Sequence, residues 1–175
     1  DFNTALQDVE RCVGAVLPLL RTVSTEPSAE RMKTLAKRIW DEARPVIAGD
    51  EVDRYLTGRG LGLASYPKVL RLHPALGFYE KDGAGKARKV AEYPAMLACI
   101  QGRDGHAVTL HRTYLEDGRK AAVREAKKVL SSGINSAAVR LFEPTDELAI
   151  AEGIETALAV HLATGKPVWA GLNAG

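Results

Sequence analysis

Glu152 is the residue of this sequence best placed to do chemistry. It follows the apolar run Leu148-Ala149-Ile150-Ala151 and precedes Gly153. The run predicts a strand and the residues after Gly153 a helix, so Glu152 falls at the carboxyl end of a strand, where open α/β sheets bind ligands. Gly153 has no side chain to obstruct an approach, and the helix start behind it favours an anion such as phosphate. A carboxylate there can ligate magnesium, a hard ion that bridges to phosphate oxygens. It can also serve as general acid or base in phosphoryl or nucleotidyl transfer. A purely structural role fits the same spacing: Glu152 and Glu155 both complement the positive end of the helix dipole, an effect of roughly 0.3–1 kcal/mol.

A second group of interest is the basic segment Arg119-Lys120-Ala121-Ala122-Val123-Arg124-Glu125-Ala126-Lys127-Lys128, with five cations against one acid. It reads as a solvated face or linker, or as a set of phosphate contacts adding affinity with little sequence specificity. Arg71 and Arg140 are further candidates for such a surface. Trp40 and Trp169 suit core positions better than an exposed stacking platform. Neither the two cysteines, Cys12 and Cys99, nor the four histidines show metal-ligand spacing. The cysteines read as buried, reduced thiols of a cytoplasmic protein.

The elements that must position these residues follow from periodicity. Residues 3 to 23 predict an amphipathic helix through Leu6, Val9, Val13, Val16, Leu17 and Leu20. Ser28 is the expected N-cap of a second helix with Leu35, Ile39 and Trp40 on its apolar stripe, closed by Pro45. A short third helix is predicted over 50–56. Residues 69–73 alternate as a strand, and 82–86 form a glycine-rich loop expected to be mobile. Residues 95–100 and 107–115 predict a hairpin about Asp104-Gly105, and Asp117-Gly118 a second turn. Short strands at 138–142, 147–151 and 168–172, with a helix over 153–164, predict a β-α-β unit with parallel strands. The expected class is α/β (α+β overall), in three parts: a helical amino-terminal region (1–62), a small antiparallel hairpin domain carrying basic residues (63–136), and the start of a parallel sheet (137–175).

Bulk properties exclude little. The net charge of +2 gives no global field that demands a nucleic-acid partner, so such a partner rests on local clusters. No apolar run approaches the roughly 20 residues of a membrane span, and no signal-peptide pattern occurs. Both ends read as cut, so the chain is expected to be an excerpt of a longer protein.

The stretch Ala149-Ile150-Ala151-Glu152-Gly153-Ile154-Glu155-Thr156-Ala157-Leu158-Ala159 resembles the Toprim motif of bacterial primases in its phage and plasmid form. Upstream, Arg54-Tyr55-Leu56-Thr57-Gly58-Arg59-Gly60-Leu61, Leu70-Arg71-Leu72-His73-Pro74-Ala75-Leu76, Tyr93-Pro94-Ala95-Met96 and Leu110-His111-Arg112-Thr113-Tyr114-Leu115 resemble, in order, the domain preceding Toprim in such proteins. The strand and turn Pro167 to Gly175 fit the segment that follows the Toprim helix. The likeness covers about residues 30 to 175.

It implies primer synthesis by nucleotidyl transfer in DNA replication, with Mg2+ or Mn2+, on single-stranded DNA and nucleotides, and a possible replication protein partner. Glu152 matches the metal-binding, catalytic acid. Arg112, Lys127 and Lys128 match basic positions of the groove for template and nucleotide phosphates, with His111 and Arg59 as further candidates. The pattern departs from the family in two places. Replicative primases carry another acid four positions after the motif glutamate, where this chain has Thr156, with Glu155 one residue earlier. The family's Asp-x-Asp motif is also missing, since no aspartate follows Glu152 in these 175 residues. Metal is therefore expected to bind weakly, and a non-catalytic nucleic-acid- or protein-binding module with a partial Toprim fold is the alternative. No tyrosine stands out as a strand-cleaving nucleophile, which argues against a topoisomerase.

Overall fold

A computed structural model describes residues 28–130, 134 and 136–172. The helix expected over residues 3 to 23, and Cys12 with it, lies outside the described residues. The architecture is mixed α/β and mostly antiparallel. The described elements are α1 (Ala29–Asp41), β1 (Arg44–Pro45), α2 (Glu51–Thr57), β2 (Leu70–Lys81), β3 (Ala87–Gln101), β4 (Ala107–Glu116), β5 (Arg119–Lys120), β6 (Lys127–Val129), β7 (Val139–Arg140), β8 (Ala149–Ala151), α3 (Ile154–Thr164) and β9 (Val168–Ala170).

Local signals account for most boundaries. Ser28 caps α1 by accepting from the Arg31 N–H at 3.3 Å, and Asp50 caps α2 by accepting from the Asp53 N–H at 2.9 Å. Gly165, at φ +69, closes α3 in the left-handed conformation. In the β4–β5 turn Asp117 and Gly118 both have positive φ, the pairing a two-residue hairpin loop demands.

β2 and β3 run well beyond the short strands that alternation predicts. Pro74 and Pro94 lie inside them, and the register shifts between His73 and Leu76 absorb the irregularity. The loop over 82–86 closes their hairpin: the Asp82 N–H donates to the Lys86 carbonyl at 2.9 Å, and Asp82 Oδ1 accepts from the N–H groups of Ala84 and Lys86. Residues 127–129, read from sequence as part of a basic helix face or linker, form β6, which pairs with β4.

The large sheet runs β1-β2-β3-β4-β5, with β6 also on β4. Its central strand is apolar on both faces, so residues 95–100 form a continuous apolar run. Met96, Ala98 and Ile100 enter one core with Val52, Leu56 and Leu158, whereas Ala95 and Leu97 enter a second with Ile39, Phe78 and Tyr114. α1 covers the second core; α2 and the β8-α3-β9 unit cover the first. Residues from all three expected segments therefore share one core.

β8 and β9 are parallel, as the β-α-β reading requires, but β7 joins the other edge of β9 antiparallel. The small sheet is thus mixed, ordered β7-β9-β8, and a parallel Toprim sheet is not what the described strands form. A reciprocal pair of backbone bonds between Gln101 and Ala138, both 2.9 Å, ties it to the end of β3.

Candidate functional site

Glu152 stands where the motif reading put it, between the end of β8 and the first turn of α3. Its carbonyl accepts from the Leu172 N–H at 3.0 Å. Its side chain is exposed, and its carboxylate has no ion pair among the described residues. Gly153 is the N-cap of α3 and supplies no side-chain bond to the first-turn N–H groups. A Cβ at Gly153 would meet nothing within 4 Å, so the glycine leaves open space that packing does not require.

That space belongs to a groove of about 410 Å³ whose lining includes His111, Lys127, Glu152, Gly153, Glu155 and Thr156. Two distant parts of the chain build it. β8 and α3 bring the acids; β4 and β6 bring the basic residues. In the antiparallel register Thr113 opposes Lys127 and His111 opposes Val129, which puts His111, Thr113 and Lys127 on one face.

Glu155, not Glu152, is the electrostatic hub. Its Oε1 accepts from the Tyr55 hydroxyl at 2.7 Å, and its Oε2 pairs with Lys127 Nζ at 2.8 Å. Lys120 Nζ lies 3.6 Å from Oε1, and the Arg59 guanidinium lies 5.8 Å from the Tyr55 ring centre. Burial alone would raise the Glu155 carboxyl. The hydrogen bonds from Lys127, Tyr55 and its own backbone N–H, and then the Lys127 charge, outweigh burial and bring it down to about 2. Burial first, then the Glu155 contact, raises the Tyr55 phenol. Lys120 is shifted down by partial burial and by the neighbouring Lys127. His111, only 8% exposed, is pushed down to about 4, by burial and then by Lys127. Its ring is therefore neutral at physiological pH.

Two candidate groove cations point elsewhere. Arg112 and Lys128 oppose one another on the far face of the sheet. Arg112 bonds the Tyr114 hydroxyl at 3.3 Å and the Val129 carbonyl at 3.4 Å, and burial lowers its pKa. Lys128 Nζ donates to the Tyr79 carbonyl at 3.2 Å and sits 4.4 Å above the Phe78 ring. Lys128 borders the groove with its strand, but its ammonium leaves it. Arg71 and Arg140 also fall outside: the first stacks on Trp40 and bonds its carbonyl, the second stacks on Trp169 and bonds Gly102.

Among the described residues no cluster of three or more His, Cys, Asp or Glu side chains could hold a metal. Glu155 is engaged by Lys127 and Tyr55, which leaves Glu152 as the free carboxylate of the groove. One carboxylate can hold magnesium only jointly with a ligand's own phosphate oxygens.

Sequence reasoning missed Tyr55 as a neighbour of the groove, offered Lys120 only as one cation of the basic segment, and read Glu155 as a helix-end acid. Nothing local could have paired Tyr55 with a residue one hundred positions away. Reading residues 127–129 as a strand would have separated Lys127 from Lys128, since alternate residues face opposite ways.

Residues 30–141 match the family described as a domain of unknown function (DUF7146), well over half of the chain, and the chain belongs to that family. No curated protein and no solved structure matches it. The family match covers Tyr55, Arg59, His111, Lys120 and Lys127 and stops before Glu152 and Glu155.

Proposed function

We propose that the groove between β6 and the start of α3 handles the phosphates of nucleic acid or nucleotides, as part of a Toprim primase-like protein that joins nucleotides on single-stranded DNA. The observation that carries this reading is the placement of Glu152. An exposed carboxylate, without an ion pair among the described residues, ends a parallel strand at a helix N-terminus whose N-cap is glycine, facing a wall that bears Lys127 and His111. The helix terminus and Lys127 attract the phosphate. Glu152 is then the residue that would hold a magnesium ion shared with that phosphate, supplying charge neutralisation at the reacting oxygens. The ordered likeness of residues 30 to 175 to phage and plasmid primase-like proteins supports the same class.

A second reading has its own observation. Glu155, which neighbours Glu152, is locked into a structural network with Tyr55 and Lys127 rather than held ready for metal. That arrangement favours a binding or regulatory module in which the groove holds DNA, or a replication partner, without chemistry.

One pair of experiments separates them. Primer synthesis by the full-length protein is measured for wild type and Glu152→Gln; undiminished activity in the variant removes Glu152 from the chemistry. Single-stranded DNA binding is then titrated across a salt series, where a steep loss of affinity is expected from phosphate contacts. Absence of binding at low salt would transfer the groove to a protein partner.

A further inference from the structure

The two faces of the large sheet are covered unequally. α2 and α3 both enter the first core, whereas among the described helices only α1 enters the second. Ile39, Phe78, Leu97 and Tyr114 are buried in that second core, but Leu35, Ala36, Trp40 and Cys99 pack against it only half-buried. Beside α1 lies a hollow of about 350 Å³ whose lining includes Ala36, Lys37, Trp40, Cys99, Val108 and Leu110. Ala36 and Trp40 are one turn apart and present one face of α1 to it. Val108, at the start of β4, is 39% exposed. Val108 and Leu110 share a face with Arg112, opposite that of His111, so the hollow and the phosphate groove lie on opposite sides of the sheet.

The length of chain ahead of α1 points to what covers the hollow. Residues 1 to 27 precede the Ser28 cap and lie outside the described residues. Leu6, Val9, Val13, Val16, Leu17 and Leu20 recur there at helical spacing. A stripe of that width needs an apolar surface to lie on. Only Ser24-Thr25-Glu26-Pro27 separates this stretch from Ser28, and connections of that length join antiparallel neighbouring helices. At the common helical rise, a fold-back sets Leu20 level with the first turns of α1 and Val13 level with the turn of Trp40. So short a tether also holds the stretch near the hollow at an effective concentration of about millimolar, which a separate partner does not reach.

We propose that residues 3 to 23 form a second helix over this core, antiparallel to α1, with Val13, Val16, Leu17 and Leu20 set against the hollow. The occupant is thus a segment of this chain, and it completes a core that lies within the family-matched residues 30–141 from outside them. The inference is independent of the phosphate-handling reading, because it concerns the other face of the sheet.

The test uses the full chain and its two cysteines, Cys12 in the segment and Cys99 in the hollow. In a Cys12→Ser background the alkylation rate of Cys99 reads its cover. Val13→Asp with Leu17→Asp is expected to raise that rate by about tenfold or more, as when a state populated more than about nine-tenths of the time is lost. Ala15→Asp with Thr22→Asp adds the same charge on the opposite side of the stripe and should leave the rate within about twofold. An unchanged rate in the first pair, or equal acceleration by both, overturns the proposal. A second measurement needs no destabilising change in the segment. A bimane label on Cys12, in a Cys99→Ser background, is expected to be quenched by Trp40 and to lose that quenching in Trp40→Phe. Quenching that is absent, or that survives Trp40→Phe, overturns the docking. Quenching that fades on dilution also overturns it, and gives the hollow to a second copy of the chain.

Discussion

Tyr55 on α2 donates its hydroxyl hydrogen to Oε1 of Glu155 on α3 at 2.7 Å, one hundred residues away in sequence. The bond ties a helix inside the family-matched region to a helix outside it, across the side chains that frame the groove. A neutral donor on a partly buried carboxylate contributes about 1.5–3 kcal/mol. Lys127 shares that carboxylate, so Tyr55→Phe is expected to cost about 1–2 kcal/mol in urea unfolding. A double-mutant cycle with Glu155→Gln should show coupling of about 1 kcal/mol. Strict additivity would mean that the two helices are not joined through this contact.

Acid should destabilise the protein in two stages. The native His111 ring is held at about 4 against an ordinary 6.5, so the unfolded chain takes up its proton first. Its contribution is complete above the ordinary value and is lost as pH falls through that interval. Native Glu155 is held at about 2 against an ordinary 4.5, and its contribution is lost over that lower interval. Denaturant titrations at successive pH values should resolve both stages, with His111→Gln removing the upper and Glu155→Gln the lower. An unchanged profile in Glu155→Gln would place the acid sensitivity elsewhere.

Leu158 on α3 is fully buried and packs in the same core as Val52, Leu56, Met96 and Ile100. Leu158→Ala should cost about 2–5 kcal/mol through lost burial and the cavity left behind. Because that core spans all three segments, far-UV and tyrosine signals should unfold together in wild type and variant alike. Two separated transitions would show that the β8-α3-β9 unit folds independently of the large sheet.

The face assignment of the neighbouring lysines can be read from salt dependence. Lys127→Gln should lower the slope of log affinity for single-stranded DNA against log salt by about 0.7, one phosphate contact. Lys128→Gln should leave that slope unchanged and reduce stability instead, because its ammonium is spent on the Tyr79 carbonyl and the Phe78 ring. Equal slopes for the two variants would mean that the groove, rather than the far face, holds both ammoniums or neither.

Much of the local structure was legible in the sequence. Ser28 capped its helix, Asp117-Gly118 made its turn, and Gly165 ended α3, because these choices depend on backbone conformation within a few residues, whereas Asp50, read as the first helical residue, is the N-cap of α2. The β-α-β order around Glu152 was equally local, and the parallel pairing of β8 with β9 followed from it. Pairing partners were a different matter. Whether Lys127 or Lys128 faces the groove depends on the register of β6 against β4, and register is set by tertiary pairing. Glu155 became the hub of the site because a helix, two strands and a tyrosine from remote stretches converge on it, and no short-range pattern carries that convergence. The sequence by itself determined which residues can end a strand, cap a helix or carry charge. The tertiary structure alone decided which of those charges meet, which are neutralised by burial, and that Glu152 is left without an ion pair among the described residues.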